Sequence, residues 1–517
     1  MPEYLTPGVY IEEIERGPRP IEGVPTSTSA FLGETERGPL RPTLVTSYKD
    51  YLRWFGSTFT LPGGRRFMPH AANGFFENGG KRLYVSRVVG QGATVASKAF
   101  GDFSVQAVGP GSWGLRVLVR LRESSTTGVG FRLQLSYWSE LPQTLYDPFD
   151  ANNNARTPRP QYQEDYDNLS VDPLSSDYFE KRLTDSSTNQ SVSPLATVGR
   201  TQGTTSLPAF NGPPGEFLDQ NGADDATPLG SDDFKGVPDN RPMQGLTYLE
   251  LDAFRDVALV HAPRPPANAD PITSEIVAHC ERLRFRFAAV DPDASAIPGT
   301  LDPRSNWDTQ FAALYAPWIV VSDPRSGVRI TVPPGGYMLG IYARSDIERG
   351  VFKAPANEIV RGALDVAVEI DENTQGQMNP RGVNAIRRFP GRGIRVWGAR
   401  TLSSNGLWKY VSVRRLFIFL ERSIYEGTQW VVFEPNDDRL WARVKDTIRL
   451  FLRGQWRNGA LFGRTEEEAF FITCDRTTMT QDDILNGRLV CEIGIAPVRP
   501  AEFVIFRIFQ HTAESQR

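Results

Sequence analysis

His261, Asp291 and Asp323 each stand at or just past the C-terminal end of an apolar run that reads as a β-strand. Open α/β sheets bind ligands at that edge, and one histidine with two carboxylates could support acid–base hydrolysis. Each residue also opens a proline turn, as His261-Ala-Pro263, Asp291-Pro292 and Asp323-Pro324, and turn chemistry alone accounts for the grouping. Gly109-Pro-Gly111-Ser-Trp-Gly114 matches the glycine spacing of a dinucleotide loop. That loop requires a helix immediately afterwards, whereas LRVLVRL reads as a strand, so a glycine-rich hairpin is the better reading. Asp371-x-Asn373-x-Gln375-Gly376 begins like a calcium loop, but its twelfth position is Gly382 and the bidentate glutamate is missing. Arg387, Arg388, Arg392, Arg395 and Arg400 surround Trp397. With near-neutral net charge and no nucleic-acid motif, they point to a protein partner rather than to nucleic acid. No P-loop, CxxC or HExxH is present, so neither a cofactor nor a metal is expected.

The elements that would position these residues change character along the chain. Residues 96–240 read as an inserted, solvent-facing region that starts with three strands, FSVQAV, LRVLVRLR and GFRLQLSYW, and continues in turn-rich sequence. A disordered linker over 140–240 is the competing reading, opposed by the aromatics Tyr162, Tyr166, Tyr178 and Phe179. From about residue 245 strands and helices alternate, which predicts a parallel or mostly parallel sheet. The expected order is a strand at 256–261, a helix at 271–283, a strand at 285–290, a helix at 307–314, a strand at 318–321, and a helix within 331–350. Farther on, Tyr410, Val413, Phe417, Leu420 and Ile424 share one helix face, followed by a strand at 430–433. Leu440, Trp441, Val444, Ile448, Phe451 and Leu452 mark a second amphipathic helix, and Phe470–Cys474 a strand. Thr480-x-x-Asp483 has the spacing of a capping box, and strands are expected at 489–495 and 502–509.

Composition narrows the function classes. With 517 residues, 40% of them hydrophobic, the chain can bury several cores. Lysine and arginine number 57 against 61 aspartates and glutamates, a net charge of −4 unlike that of a dedicated nucleic-acid binder. Its three cysteines, Cys280, Cys474 and Cys491, cannot make a disulfide framework and suit a reducing compartment. No apolar run approaches a membrane span, and the N-terminus lacks a signal-peptide pattern. The charge is unevenly placed: residues 140–240 hold 17 acidic and 6 basic residues, and residues 377–464 hold 17 basic and 6 acidic ones.

Several segments, in order, resemble contractile tail sheath proteins. They are PGVYIEE followed by IEGVPTSTSAFLGETERGP, FFENGGKRLYVSRV at 75–88, GPGSWGLRV at 109–117 and PPGGYMLGIYARSDIERGVFKAPAN at 333–357. The longest is NPRGVNAIRRFPGRGIRVWGARTL at 379–402, continued through YVSVRRLFIFLERSI, WVVFEPND and LWARVKDTIRLFLRGQWRNGALFG. MTQDDILNGRLVCEIGIAPVRPAEFVIFRI at 479–508 closes the set. The resemblance spans about 1–120 and 245–510 and leaves out the acidic insert.

It implies a non-enzymatic structural subunit that polymerises as stacked rings around an inner tube and contracts to drive the tube through a target envelope. The implied fold is a multidomain α/β (mixed α+β) core with an inserted β- and loop-rich outer domain and extended terminal strand arms. The expected divisions are 1–22 (arm), 23–95 and 241–370 (core), 96–240 (insert), 371–496 (tube-facing, inter-subunit domain) and 497–517 (arm). Expected partners are copies of the chain, the inner tube protein, and baseplate and terminal cap proteins, with neither nucleic acid nor membrane insertion. The particle would be made in the bacterial cytoplasm, and its single chain resembles phage, R-type bacteriocin and extracellular injection sheaths more than the two-protein sheath of type six secretion.

Two surfaces carry the site expectations. The termini pattern as strands through Val9, Tyr10, Ile11 and Ile14, and through Phe503, Val504, Ile505, Phe506 and Ile508. By pattern alone they would join their own sheet, whereas the resemblance implies that they add to sheets of neighbouring subunits. Arg439, Arg443, Lys445, Arg449 and Arg453 lie on the polar faces of the second amphipathic helix, with Lys445, Arg449 and Arg453 in a row at i, i+4. They are the candidate tube contact. A solvated row balanced by nearby carboxylates is the alternative, and the short helix after Thr480 is a rival.

Overall fold

The computed structural model describes residues 20–507, apart from 62–63, 127, 129, 189, 202–205, 237–242 and 267–268. The arm residues Val9, Tyr10, Ile11, Ile14 and Ile508 therefore lie outside the described residues. The described chain divides into two compact units, one holding 25–349 and 353–411, the other residues up to Val24, 350–352 and from Ser412 onward.

The larger unit is organised on an eight-stranded sheet in the order Thr43–Val45, Leu83–Arg87, Ser29–Gly33, Leu259–His261, Phe287–Val290, Ala312–Ala316, Val383–Phe389 and Gly393–Val396. The six inner strands run parallel, and the two edge strands pair antiparallel. Ser29–Gly33 and Ala312–Ala316 are buried at every position, so both faces must be small or apolar. That condition explains one error of the sequence reading. Residues 307–314, expected as a helix, instead lead into the strand Ala312–Ala316, whose unbroken run AALYA has no alternation to mark it. The strand Ile319–Ser322 forms where expected but belongs to a separate antiparallel sheet with Arg329–Val332 and Ala363–Val366.

Helix Pro271–Leu283 begins as its sequence dictates, with proline in the first turn and the Asp270 carboxylate accepting the Thr273 N–H at 2.6 Å. Helices Met68–Glu77 and Gly335–Arg349 pack together, and glycine sets how closely. A Cβ on Gly336 would lie 2.6 Å from Ala71 Cβ, and one on Gly340 would lie 2.5 Å from the Phe75 carbonyl oxygen. The run Gly335-Gly336-x-x-x-Gly340 is a packing seam.

The insert folds. Its four-stranded sheet runs Tyr162–Leu169, Phe131–Tyr137, Val117–Glu123, Glu216–Phe217, and its three-stranded sheet Ala196–Arg200, Phe103–Ala107, Ser97–Phe100. One core unites them: Phe103, Trp113, Phe131, Leu135, Leu169, Phe179 and Leu195 are all buried in it. The Phe103 ring sits 5.5 Å from Phe131 and 5.2 Å from Phe179. A linker over 140–240 is thereby excluded for its described part. The root of the insert is clamped where the chain leaves and re-enters the sheet unit: Gln244 Nε2 donates to Val89 O at 2.9 Å, and Val89 N–H donates to Gln244 Oε1 at 3.2 Å.

In the smaller unit, helices Val411–Gly427 and Asp438–Arg457 and the hairpin Phe470–Thr473/Glu492–Ile495 share a core containing Leu416, Leu420, Trp441, Val444, Ile448, Leu452 and Phe470. The segment at 430–433 is a short 3-10 turn, not the expected strand; Phe433 is fully exposed. Ile21 is buried in this core, and Val24 N–H donates to Ser423 Oγ at 3.1 Å, so the root of the N-terminal arm is held here.

Candidate functional site

The strand-end residues were the strongest chemical candidates, and the fold brings only two of them together. Leu259–His261 and Phe287–Val290 are parallel neighbours, which places His261 beside Asp291 with Nε2 to Oδ2 at 3.4 Å. Both side chains are all but fully buried, at 1% and 2% exposure. His261 Nδ1 contacts Ala289 O at 3.0 Å, and Asp291 Oδ1 accepts the Gly335 N–H at 2.8 Å. Burial pushes the Asp291 carboxyl up to about 8 and the His261 imidazole down to about 4. Near neutral pH both groups are uncharged, with His261 donating from Nδ1 to Ala289 O.

Asp323 accepts the backbone N–H groups of Arg325 and Ser326 at 2.8 and 3.2 Å, inside the turn after Ile319–Ser322. A hollow of about 430 Å³ beside this sheet edge is lined by Asp291, Asp293, Asp302 and Trp307, without His261 or Asp323. Of its carboxyls, Asp291 already serves the Gly335 N–H, and Asp293, held below the usual carboxylate range by hydrogen bonds from Ser295, serves its own turn. A hydrolytic centre of His261, Asp291 and Asp323 is therefore not assembled, and the two buried side chains lie side by side, each bonded to a backbone group of the sheet unit.

The other motifs resolve into local structure. Ser112–Arg116 is a five-residue 3-10 turn leading into Val117–Glu123, and Asp224 Oδ1 accepts the Ser112 N–H at 3.0 Å, where a phosphate loop would need to be empty and positive. A Cβ on Gly109 would meet Gly38 O at 2.2 Å, so that glycine serves close packing. Asp371 caps helix Glu372–Met378 by accepting the Thr374 N–H at 2.7 Å. The arginines around Trp397 are engaged within the chain: Arg387 donates to Ile370 O and Gln375 Oε1, Arg400 to Asn379 O, and Arg392 stacks 5.6 Å from the Trp397 ring.

Two surfaces of the smaller unit remain. On helix Asp438–Arg457 the apolar stripe faces the core and the basic residues face away from it. Arg449 and Arg453 converge on Glu466, at 3.1 and 2.6 Å. Arg443 lies 4.7 Å over the Trp430 ring and 3.8 Å from Glu434, and Arg439 is exposed. Part of the row is thus balanced inside the chain. Glu466 was overlooked in the sequence, where the only signal is the run Glu466-Glu467-Glu468 one loop beyond the helix. Helix Gln481–Leu485 is capped by Thr480, whose hydroxyl accepts the Asp483 N–H at 3.2 Å while Asp483 accepts the Thr480 N–H at 3.0 Å.

At the C-terminal end, Val498 N–H donates to Ala460 O at 3.2 Å. Beyond it Phe503, Val504, Ile505 and Phe506 are 70%, 68%, 78% and 85% exposed, and residues 502–507 pair with no strand among the described residues. Among the described residues nothing covers this apolar run.

Comparison with known proteins places these features. The family model for the phage tail sheath protein central domain matches residues 247–402, and that for the phage tail sheath C-terminal domain matches 403–511. Together they cover a continuous 265 of the 517 residues. The chain is 21% identical to the tail sheath protein of Escherichia phage P2 over 47% of its own length and 61% of that protein. It is 23% identical to the tail sheath protein of Enterobacteria phage T4 over 39% of its own length and 30% of that protein. It spans between 29% and 61% of the length of the curated relatives it matches. In fold it is similar to the sheath complex of an extracellular contractile injection system, PVC, in the contracted state, with a TM-score of 0.59, 22% identity and full coverage of both chains. It is equally similar to the contracted helical sheath of the anti-feeding prophage, with a TM-score of 0.59, 23% identity and coverage of 98% and 100%.

Proposed function

Because the chain belongs to the phage tail sheath family, we propose that it is the structural subunit of a contractile sheath, polymerising as stacked rings around an inner tube and shortening to drive that tube through a target envelope. The observation that carries this reading is the continuous family match over 247–511, which takes in the basic helix, the capped short helix and the uncovered apolar run. The buried His261–Asp291 pair, apart from Asp323 and each member bonded to a backbone group, supports a structural role over hydrolysis.

The partners follow from the surfaces. Copies of the chain supply the sheet edge that Phe503–Phe506 lacks, by strand addition, and the segment before Ile21 does the same from the opposite end of the chain. Main-chain ladders fit that task because they survive rotation of the bodies they connect. The polar face of Asp438–Arg457 and helix Gln481–Leu485 are the candidate tube contacts, and baseplate and cap proteins close the ends of the sleeve. The acidic insert 96–240 lies on the outside. Subunits are made in the bacterial cytoplasm and become part of a phage-tail-like particle; among the described residues no helix is long and apolar enough to cross a membrane.

Electron microscopy of the purified chain, alone and with its cognate tube protein, tests the reading. Rods or stacked rings are expected. Discrete small particles under all conditions, with or without hydrolase activity, would overturn it.

A further inference from the structure

The hairpin Phe470–Thr473/Glu492–Ile495 pairs in register from Phe470 opposite Ile495 to Thr473 opposite Glu492. Carried one position further, that register would set Cys474 opposite Cys491. Facing residues of an antiparallel pair have Cα atoms about 4.5–5.5 Å apart, within the roughly 4.4–6.8 Å that a disulfide spans. Both side chains pack in the core of this unit, close enough that each perturbs the other's ionisation. Cys474 is 2% exposed, whereas Cys491 is partly open to solvent.

We propose that Cys474 and Cys491 form a reversible redox site, a dithiol that a low-molecular-weight disulfide converts into an intrachain disulfide at the mouth of this hairpin. The more accessible Cys491 thiolate attacks the reagent and forms a mixed disulfide, expelling one thiol. Cys474 then attacks the Cys491 sulfur, the mixed bond breaks, and the second thiol leaves. The protein loses two hydrogens and two electrons; the reagent disulfide gains both and departs as two thiols.

Burial pushes the Cys491 thiol up to about 12 and raises Cys474, while the Lys445 ammonium opposes both. Exchange is therefore slow at neutral pH and accelerates about tenfold per pH unit below that value, since only the thiolate reacts. Once formed, the bond closes residues 474–491, which carry helix Gln481–Leu485, into a covalent loop. A single bridge agrees with a chain that has no disulfide framework. The meaning of the clasp for tube contact rests on the sheath reading; formation of the bond does not.

The full-length protein is incubated with oxidised glutathione at pH 7.5 and pH 9, then alkylated in denaturant and peptide-mapped by mass spectrometry. The expected product has a Cys474–Cys491 link, Cys280 as the one alkylated cysteine, full reversal by dithiothreitol, and faster formation at pH 9. The variants C474S and C491S should each lack the link. Limited proteolysis within 475–490 should slow several-fold in the oxidised wild type and not in glutathione-treated C491S. Three alkylated cysteines after prolonged treatment at pH 9, or glutathione stably retained on Cys491 with Cys474 still alkylated, would overturn the site. Unchanged cleavage of the bridged protein would overturn the clasp.

Discussion

Above neutral pH the buried carboxyl of Asp291 must either keep its proton or ionise where no water reaches it. Its folded value, about 8, lies above the unfolded value of 3.8, so the folded chain binds the extra proton and stability falls as pH rises through this interval. His261, lowered from 6.5 to about 4, works in the opposite sense, removing stability as pH falls below 6.5. Between pH 6.5 and 8 only the Asp291 contribution changes, by up to roughly 1.4 kcal/mol per pH unit. Asp291→Asn keeps an acceptor for Gly335 N–H and offers His261 a donor without a titrating proton. In urea unfolding, the wild type should lose roughly 1–2 kcal/mol more than this variant between pH 6.5 and 8; parallel pH profiles would show that the carboxyl is not buried neutral. Two glycines provide a contrast in packing. Gly340→Ala drives a Cβ into the Phe75 carbonyl and should cost about 1–3 kcal/mol or more. Gly376→Ala, on an open helix face, should cost nothing and stabilise by up to about 1 kcal/mol. Equal melting temperatures for the two variants would contradict the helix seam.

Elements with their own start signals were readable from sequence. Asp270-Pro271 and Thr480-x-x-Asp483 announce their helices, and both helices begin there. Ala312–Ala316 was not, because a strand buried on both faces shows no period, and neither was 430–433, where Trp430 and Val431 support a turn rather than a ladder. The candidate sites were legible as residue types but not as partners: sequence spacing cannot show that Glu466 folds back onto Arg449 and Arg453, or that Asp323 stays in its own turn. This pairing changes which residues test the basic face. Arg439→Glu, Arg443→Glu and Lys445→Glu together leave the Glu466 pairs intact, and the triple variant should fold yet co-sediment poorly with tubes at low salt, where exposed charges are least screened. Undiminished co-sedimentation would assign the grip elsewhere, with helix Gln481–Leu485 next in line. For the arms, a deletion of residues 1–20 retains the buried Ile21 anchor. The truncated chain should remain a soluble monomer by light scattering and form no sleeves; normal sleeves would remove the arm from the assembly scheme.

On the scale of the whole molecule, the insert decides how the chain can be cut. Removing only 140–240 would strip Tyr162–Leu169 and Phe179 from a core they share with Phe103 and Phe131 and leave that core open. The clamp between Val89 and Gln244 marks better bounds. If the insert faces outward on the proposed sheath, excising 90–243 and joining the ends with a short glycine linker should give a folded chain that still assembles and contracts. A folded excision that forms no rings would place ring contacts in the insert. The opposed charge regions, 17 acidic against 6 basic over 140–240 and the reverse over 377–464, would give the proposed contracting lattice something to pair. Each exposed pair contributes only about 0–1 kcal/mol, so buried area must supply most of the drive. The contracted lattice should therefore show more intersubunit area than the extended one by cryo-electron microscopy, and equal or smaller area would rule that drive out. The same clamp also makes the chain a display scaffold. Two hydrogen bonds made by one glutamine amide hold the exit and return points side by side, so the chain has a docking port at which one domain could be unplugged and another fitted. An enzyme or a receptor-binding module with adjacent termini, grafted between Val89 and Gln244, would be presented once per subunit along the proposed sleeve, provided the graft replaces the bonds the insert gives the sheet unit, Arg87 Nη1 to Pro110 O and Tyr137 Oη to Glu36 Oε1, both at 2.8 Å.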